Sequence, residues 1–364
     1  MFQGKINIRN LSLEEILVHF KELNEKPFRA KQVFEWLWKK NAHAFDEMTS
    51  LGKELREKLN SHFFIDHISL QDQQISKDKT IKCAFSVDDD SIIIEGVLIP
   101  TSSRMTACIS SQVGCSLSCT FCATGRLKLL RNLSAGEIFD QVVYLKNQAE
   151  NRYQTPLTNI VYMGMGEPLL NYKNVLKSVE YICSENGLGM SPKRITISTA
   201  GIAKMIRKLG DDQVKFNLAL SLHAANDTKR NTIMEINESN NLNELSEALQ
   251  YFHEKTGSRV TFEYIIFKDF NDSIEDAREL AHFAKCVPCK INIIEYNPIE
   301  NGEFQQADPK KVDDFAQFLE SKNLIVNVRR SRGKDIDAAC GQLANRNKAI
   351  TPEARILKST RIKD

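Results

Sequence analysis

Nowhere in its 364 residues does the chain carry a run approaching the roughly 18 apolar residues of a membrane helix, which excludes a helical membrane protein. The start, MFQGKINIRNLSLEEIL, lacks a basic segment followed by an apolar one, so a cytoplasmic location is expected. Charge of one sign is also scarce. Lys+Arg 49 against Asp+Glu 47 leaves a formal net charge of +2, too little for a global basic field, so any RNA contact must come from local patches. Nine cysteines are too few for a disulfide scaffold, and the odd number leaves at least one thiol unpaired. In a reducing compartment, clustered cysteines bind metal or do redox chemistry. Internal repeats and low-complexity tracts are missing as well. What is present, 42% hydrophobic and 26% charged residues, supports a sizeable core, and the length predicts one large domain plus a smaller one.

Leu13, Ile16, Leu17, Phe20 and Leu23 recur at helical spacing, and FRAKQVFEWLWKK at 28–40 reads as a second helix with an aromatic face. Residues 1–75 are thus expected to form a small helical N-terminal domain. TIKCAFSV alternates, Asp88–Asp90 reads as a turn and SIIIEGVLIP resumes as a strand, giving a linking β-hairpin over 76–103. From 104 to 345 strands alternate with helices: strands near 104–111, 158–163, 194–199, 214–222, 259–267 and 290–296, helices at 134–148, 172–185, 201–209, 241–255 and 275–285. Repeated βα units predict an α/β fold with a parallel sheet wound by right-handed crossovers. Six units fit a partial (β/α)6 TIM-like barrel, with chemistry beyond the C-terminal strand ends. A basic tail, 346–364, follows.

The densest chemistry is Cys115-Ser-Leu-Ser-Cys119-Thr-Phe-Cys122, a C-x3-C-x2-C directly after the first barrel strand. Three thiolates on one loop can hold three irons of a [4Fe–4S] cluster and leave the fourth open to an exogenous ligand. A structural zinc would need a fourth Cys or His, and no His lies near the loop. Gly164-Met-Gly166-Glu167-Pro168 follows a strand; glycines there let backbone approach a ligand closely, and the carboxylate can accept from an ammonium or ribose hydroxyl. Ser198, Ser221, His223 and Asn297 are polar residues ending apolar strands, and all project to the same predicted rim. A lone Cys is usually a small buried hydrophobe. Cys340 differs from Cys108 on the first strand, because Gly333, Asp335, Asp337 and Gly341 mark its surroundings as a solvated loop. Cys286-Val-Pro-Cys289 has redox spacing but the wrong position, before a strand rather than at a strand-to-helix turn, and Cys83 and Cys183 read as apolar-face residues.

The cysteine spacing resembles the signature of radical S-adenosylmethionine (SAM) enzymes. Taken with CISSQVGCSLSCTFCATG, GMGEPLLN at 164–171 and GKDIDAACGQLA at 333–344, it resembles RlmN-type dual-specificity methyltransferases over most of the chain, from FRAKQVFEWLW to Cys340. The resemblance implies methylation of carbon 2 of adenosine in 23S ribosomal RNA and in transfer RNA, with two SAM molecules per product. It implies that Cys115, Cys119 and Cys122 hold the cluster and that Gly166, Glu167, Ser198, Ser221, Leu222, His223 and Asn297 bind SAM. Cys340 then matches the methyl-accepting cysteine, Cys108 its disulfide partner and Glu95 the general base. It implies an electron donor such as flavodoxin or ferredoxin, and an RNA-binding role for the N-terminal domain. One departure stands out: Lys128-Leu129 occupy the place where the family commonly has Gly-Phe.

Local basic groups are Lys26, Arg29 and Lys31; Arg126, Lys128 and Arg131; Arg329, Arg330, Arg332 and Lys334; and Arg346, Lys348, Arg355, Lys358, Arg361 and Lys363 of the tail. Such groups would position RNA through phosphates without reading sequence, and the target base must leave its stack. Two other readings compete. A carbon 8 methyltransferase of the Cfr type usually lacks the proline here present as Pro168 and much of the N-terminal match. A non-catalytic RNA-binding protein would carry structural zinc on the three cysteines.

Overall fold

The computed structural model describes residues 4–87 and 92–343. The predicted Asp88–Asp90 turn and the basic tail lie outside the described residues.

Ile6–Asn7 (β1) pairs in parallel with Phe63–Phe64 (β2). Between them run Leu13–Glu22 (α1), Pro27–Trp38 (α2) and Lys53–His62 (α3). A capping box, Ser12 with Glu15, starts α1, and proline at the first turn starts α2. The apolar faces of α1 and α2, Ile16 and Phe20 with Val33, Leu37 and Trp38, belong to the same core as the barrel. Trp38 stacks on Tyr181 with ring centroids 3.6 Å apart, and the fully buried Arg9 pairs with Asp140 at 2.8 Å. Burial of an unpaired guanidinium would be prohibitive, so the Arg9 ion pair fixes how this helical region sits on the barrel helix Ala135–Tyr153.

Ser69–Ile75 (β3), Ile81–Val87 (β4) and Ile92–Pro100 (β5) form an antiparallel meander, and β5 pairs antiparallel with Met105–Cys108 (β6). The hairpin predicted from the sequence is therefore part of the main sheet. Gln112–Val113 (β7) and Arg131–Asn132 (β8) make a separate small pair flanking the cysteine loop. Parallel strands then follow: Asn159–Tyr162 (β9), Ile195–Thr199 (β10), Asn217–Ser221 (β11), Val260–Ile266 (β12), Cys289–Glu295 (β13) and Val326–Arg329 (β14). The large sheet runs β14-β13-β12-β11-β10-β9-β6-β5-β4-β3, an open order with seven successive parallel members from β6 to β14. Every residue of β12 is buried, as expected of a parallel strand covered on both faces.

This is the mixed α/β, partial-barrel architecture expected from the alternation, extended by the seventh parallel strand β14. That strand is four residues long and ends in Arg329, too short and too polar to register as a period. The edge strand β3, SLQDQQI, escaped prediction because it is largely exposed and carries no alternation. Among the described residues no helix is long and apolar enough to cross a membrane.

Candidate active site

Strand β6 ends at Cys108, and the chain enters the cysteine loop at the C-terminal rim of the sheet. The loop is held by its own backbone: Cys122 N–H donates to Cys119 O at 3.2 Å, Cys115 N–H to Leu127 O at 3.3 Å and Thr120 N–H to Ile233 O at 3.2 Å. Cys115, Cys119 and Cys122 line one cavity of about 150 Å³ together with Gly166, Glu167, Ser198, Ser221, His223 and Cys340. Burial pushes all three thiols up, Cys115 to about 11, and Cys119 is raised further by Cys122 and Cys115. Thiols crowded this way ionise only against a concentrated positive charge, which bound iron provides. Among the described residues no three His, Cys, Asp or Glu side chains converge as ligands of a single ion. The soft, all-thiol donor set therefore fits an iron–sulfur cluster, each thiolate taking its own iron, better than a tetrahedral zinc.

The second motif closes on the first. Gly166 has φ +96, and a Cβ there would sit 2.4 Å from the Cβ of Gln112, so glycine is required on both conformational and steric grounds. Gln112, which the motif reading passed over, accepts the Glu167 N–H at 2.8 Å and donates to Asn132 at 2.7 Å, tying the glycine loop to the β7–β8 pair. Glu167 is buried and accepts from the N–H groups of Ala200 at 2.7 Å and Leu169 at 3.0 Å. Burial pushes its carboxyl up to about 7, against the downward pull of those two N–H groups.

A carboxyl whose pKa rises on folding favours the folded state at low pH. The penalty for Glu167 grows as pH climbs from about 4.5 to 7 and then stays constant, at about 3 kcal/mol. The thermal midpoint of the cofactor-free protein is expected to fall as pH rises from 5 to 8, a slope that Glu167→Gln should lose together with SAM binding, while one of the two N–H groups loses its acceptor. An unchanged slope with SAM still bound in the variant would contradict this assignment.

Ser198 and Ser221 lie side by side, their hydroxyls 3.2 Å apart. His223 takes a left-handed backbone, φ 56, and its Nδ1 accepts the Ile265 N–H at 3.0 Å. That bond assigns the proton to Nε2, and burial, then the nearby Arg230, pushes the ring down to about 3, so it stays neutral at physiological pH. Leu222 is wholly buried and does not line the cavity; only its chain neighbours do. Arg230, unmarked in the sequence, donates to the carbonyls of Ala200, Ser221 and Leu222 at 2.6, 3.2 and 3.0 Å and so pins the ends of β10 and β11 together. Asn297 donates to Cys340 O at 3.4 Å, while its buried Oδ1 finds no partner among the described residues.

Cys340 reaches this rim from far along the chain. Ala123 N–H donates to Gly341 O at 2.7 Å and Thr124 Oγ1 to Leu343 O at 3.1 Å, fastening the late loop to the cysteine loop. On its other side Ser76 donates to Asp335 at 2.5 Å, Gly333 N–H donates to Asp78 at 2.9 Å, and Lys82 Nζ donates to Asp337 O at 3.4 Å. Cys340 is exposed within the cavity and also borders a second one, of about 260 Å³, with Cys108, Arg329, Arg330 and Arg332. Burial, then Cys340, pushes the Cys108 thiol up to about 12. Arg329, paired with Glu263 at 3.3 Å, opposes that rise.

Glu95 lines neither cavity. It is buried on β5, and Val97, two residues on, stands opposite Cys108, so Glu95 and Cys108 are diagonal neighbours on one sheet face, typically about 7–8 Å apart. Cys286 and Cys289 lie at the opposite, N-terminal end of β13, and burial raises both thiols. Of the basic groups, Arg126 donates to Glu300 O and Asn301 O, and Arg131 pairs with Glu137 at 2.6 Å, so both are engaged within the fold. Lys128 and Leu129 border the outer side of the cysteine loop.

Residues 6–65 match the Ribosomal RNA large subunit methyltransferase N-terminal domain, and residues 109–284 match the Radical SAM superfamily. The chain is 60% identical over 337 residues to the "Probable dual-specificity RNA methyltransferase RlmN" of Cytophaga hutchinsonii, covering 93% of this chain and 92% of that one. It is 40% identical over 355 residues to the "Dual-specificity RNA methyltransferase RlmN" of Campylobacter fetus, covering 94% and 99%. A crystal structure of a radical SAM methyltransferase from Sphaerobacter thermophilus superposes with a TM-score of 0.87 at 37% identity, covering 93% of this chain and 99% of that one. The chain belongs to the RlmN family of dual-specificity RNA methyltransferases within the radical SAM superfamily.

Proposed function

We propose that this enzyme methylates carbon 2 of adenosine in 23S ribosomal RNA and in transfer RNA, carrying the methyl group on Cys340 and consuming two SAM molecules per product. The observation that supports this most is that Cys340 borders both cavities, the one lined by three thiols and the one holding Cys108 and three arginines. Carbon 2 of adenine is electrophilic, so transfer of an electrophilic methyl from SAM fails there and a radical route is needed. A [4Fe–4S] cluster on Cys115, Cys119 and Cys122 supplies, when bound, an open iron for SAM and the electron that generates a 5′-deoxyadenosyl radical.

The chain's own groups do the rest. Glu167 accepts from the SAM ammonium, while Ser198, Ser221 and the Nε2–H of His223 orient ribose and adenine, with Asn297 offering its open Oδ1. Cys340 takes a methyl group from a first SAM, and the radical from a second removes one hydrogen from that methyl. The resulting methylene adds to carbon 2. Glu95 takes the carbon 2 proton, and Cys108, losing its thiol proton, attacks the Cys340 sulfur, which breaks the S–CH2 bond and leaves a disulfide. The released methylene carbon takes a proton to become the methyl group, and the one electron left over from the radical adduct would return to the bound cluster. Arg332, exposed at the second cavity, would meet an RNA phosphate. A flavodoxin or ferredoxin would supply electrons.

Mass spectrometry of nucleosides tests the reading. RNA from a deletion strain should lack 2-methyladenosine in both ribosomal and transfer RNA, and the wild-type gene should restore it in both. Restoration of 8-methyladenosine instead would favour the carbon 8 chemistry.

A further inference from the structure

Lys82 is the one buried lysine among the described residues, and neither the motifs nor the proposed reaction uses it. Lysine is almost never fully buried without a partner. Its Nζ stands 3.6 Å from Glu95 Oε1, with only 10% and 8% of the two side chains exposed. The same ammonium donates to the carbonyl of Asp337, three residues before Cys340, at 3.4 Å. Strand register explains the meeting. Lys82 on β4 faces Val97 on β5, and Val97 faces Cys108 on β6, so one row crosses the sheet from Lys82 to Cys108 with Glu95 beside it. Ile99, on the same face of β5, borders the cavity that holds Cys108 and Cys340.

A carboxylate withdrawn from water on its own takes up a proton and is then useless as an acceptor. We infer that Lys82 is a positioning residue for the proton transfer: it gives the buried Glu95 carboxylate a counter-charge and fixes it on the sheet face that carries Cys108, and it holds the Cys340 loop in register with that carboxylate through Asp337. This rests on the reading of Glu95 as the proton acceptor. In the step served, the C–H bond at carbon 2 of the adduct breaks heterolytically, the proton goes to a Glu95 oxygen and the electron pair stays in the purine. Lys82 touches no reacting atom.

The test compares Lys82→Met, Lys82→Arg, Glu95→Gln and the Lys82→Met, Glu95→Gln double variant, as full-length reconstituted enzymes acting on total transfer RNA from a deletion strain. Lys82→Met is expected to keep Cys340 methylated by peptide mass spectrometry and KM for RNA within about twofold, with kcat falling at least about tenfold and 5′-deoxyadenosine exceeding product. Lys82→Arg, which keeps the charge, should restore kcat to within about threefold. The double variant should be no slower than Glu95→Gln. Wild-type kcat in Lys82→Met, beside an impaired Glu95→Gln, would overturn the inference alone. A parallel loss of kcat, Cys340 methylation and thermal midpoint in both Lys82→Met and Lys82→Arg would overturn it too, leaving Lys82 a support of the fold. Full activity of Glu95→Gln would instead remove the proton-acceptor reading on which it rests.

Discussion

Cys108→Ala is expected to accumulate a covalent protein–RNA adduct, seen as a slow-migrating band that ribonuclease shortens. The thiol lies at the end of β6 and shares a cavity with Cys340, and in the proposed sequence its attack on the Cys340 sulfur is the step that frees the product. Without it the methylene radical still forms and still adds to adenine, but the bond to Cys340 persists. Loss of one buried sulfur costs about 1 kcal/mol, so the variant should remain folded. Cys340→Ala should leave RNA untouched, because no methylene can form, and the double variant should give no adduct. Normal turnover by Cys108→Ala without an adduct would return Cys108 to the role of an ordinary strand residue.

Replacement of any one cavity thiol should have an equally large effect at an earlier stage. Cys119 is flanked by Cys122 and Cys115, and the loop that carries it is fixed by backbone groups. Cys119→Ala purified without oxygen is expected to fold, to lose most of its iron and brown colour, and to lose all reductive cleavage of SAM. Full cleavage in this variant would sink the assignment of the three thiols to a cluster. A colourless wild-type protein containing zinc would point to the non-catalytic alternative.

The site was legible wherever its chemistry is local in sequence. Cys115, Cys119 and Cys122 fall within eight residues and Gly166 with Glu167 within two, and the structure sets them around one cavity. Residues acting through long-range register left no such trace. Lys82 meets Glu95 only because β4 and β5 pair as they do, and it meets Asp337 across 255 positions of chain. Gln112 lies inside the CISSQVGC run but bears no chemistry of its own to single it out, and Arg230 sits in a stretch with no distinctive spacing; the importance of both lies in the backbone groups they hold. Fold elements were missed for related reasons. The helix Pro309–Ser321 carries a clear start signal, Asp308 then Pro309, with Val312, Phe315, Ala316 and Leu319 on its buried face, yet it lies beyond the last predicted unit. Once it is placed, β14 follows as the seventh strand, and Arg329 at its end enters the second cavity.

The path of the methyl group is the central claim, and isotopic labelling tests it most directly. Enzyme isolated from cells fed methionine with a trideuterated methyl group should carry that methyl on Cys340. In a first turnover with unlabelled SAM, one deuterium should appear in 5′-deoxyadenosine and two in the methyl group of 2-methyladenosine. A first product with three deuteriums, or with none while Cys340 keeps its label, would contradict transfer through Cys340.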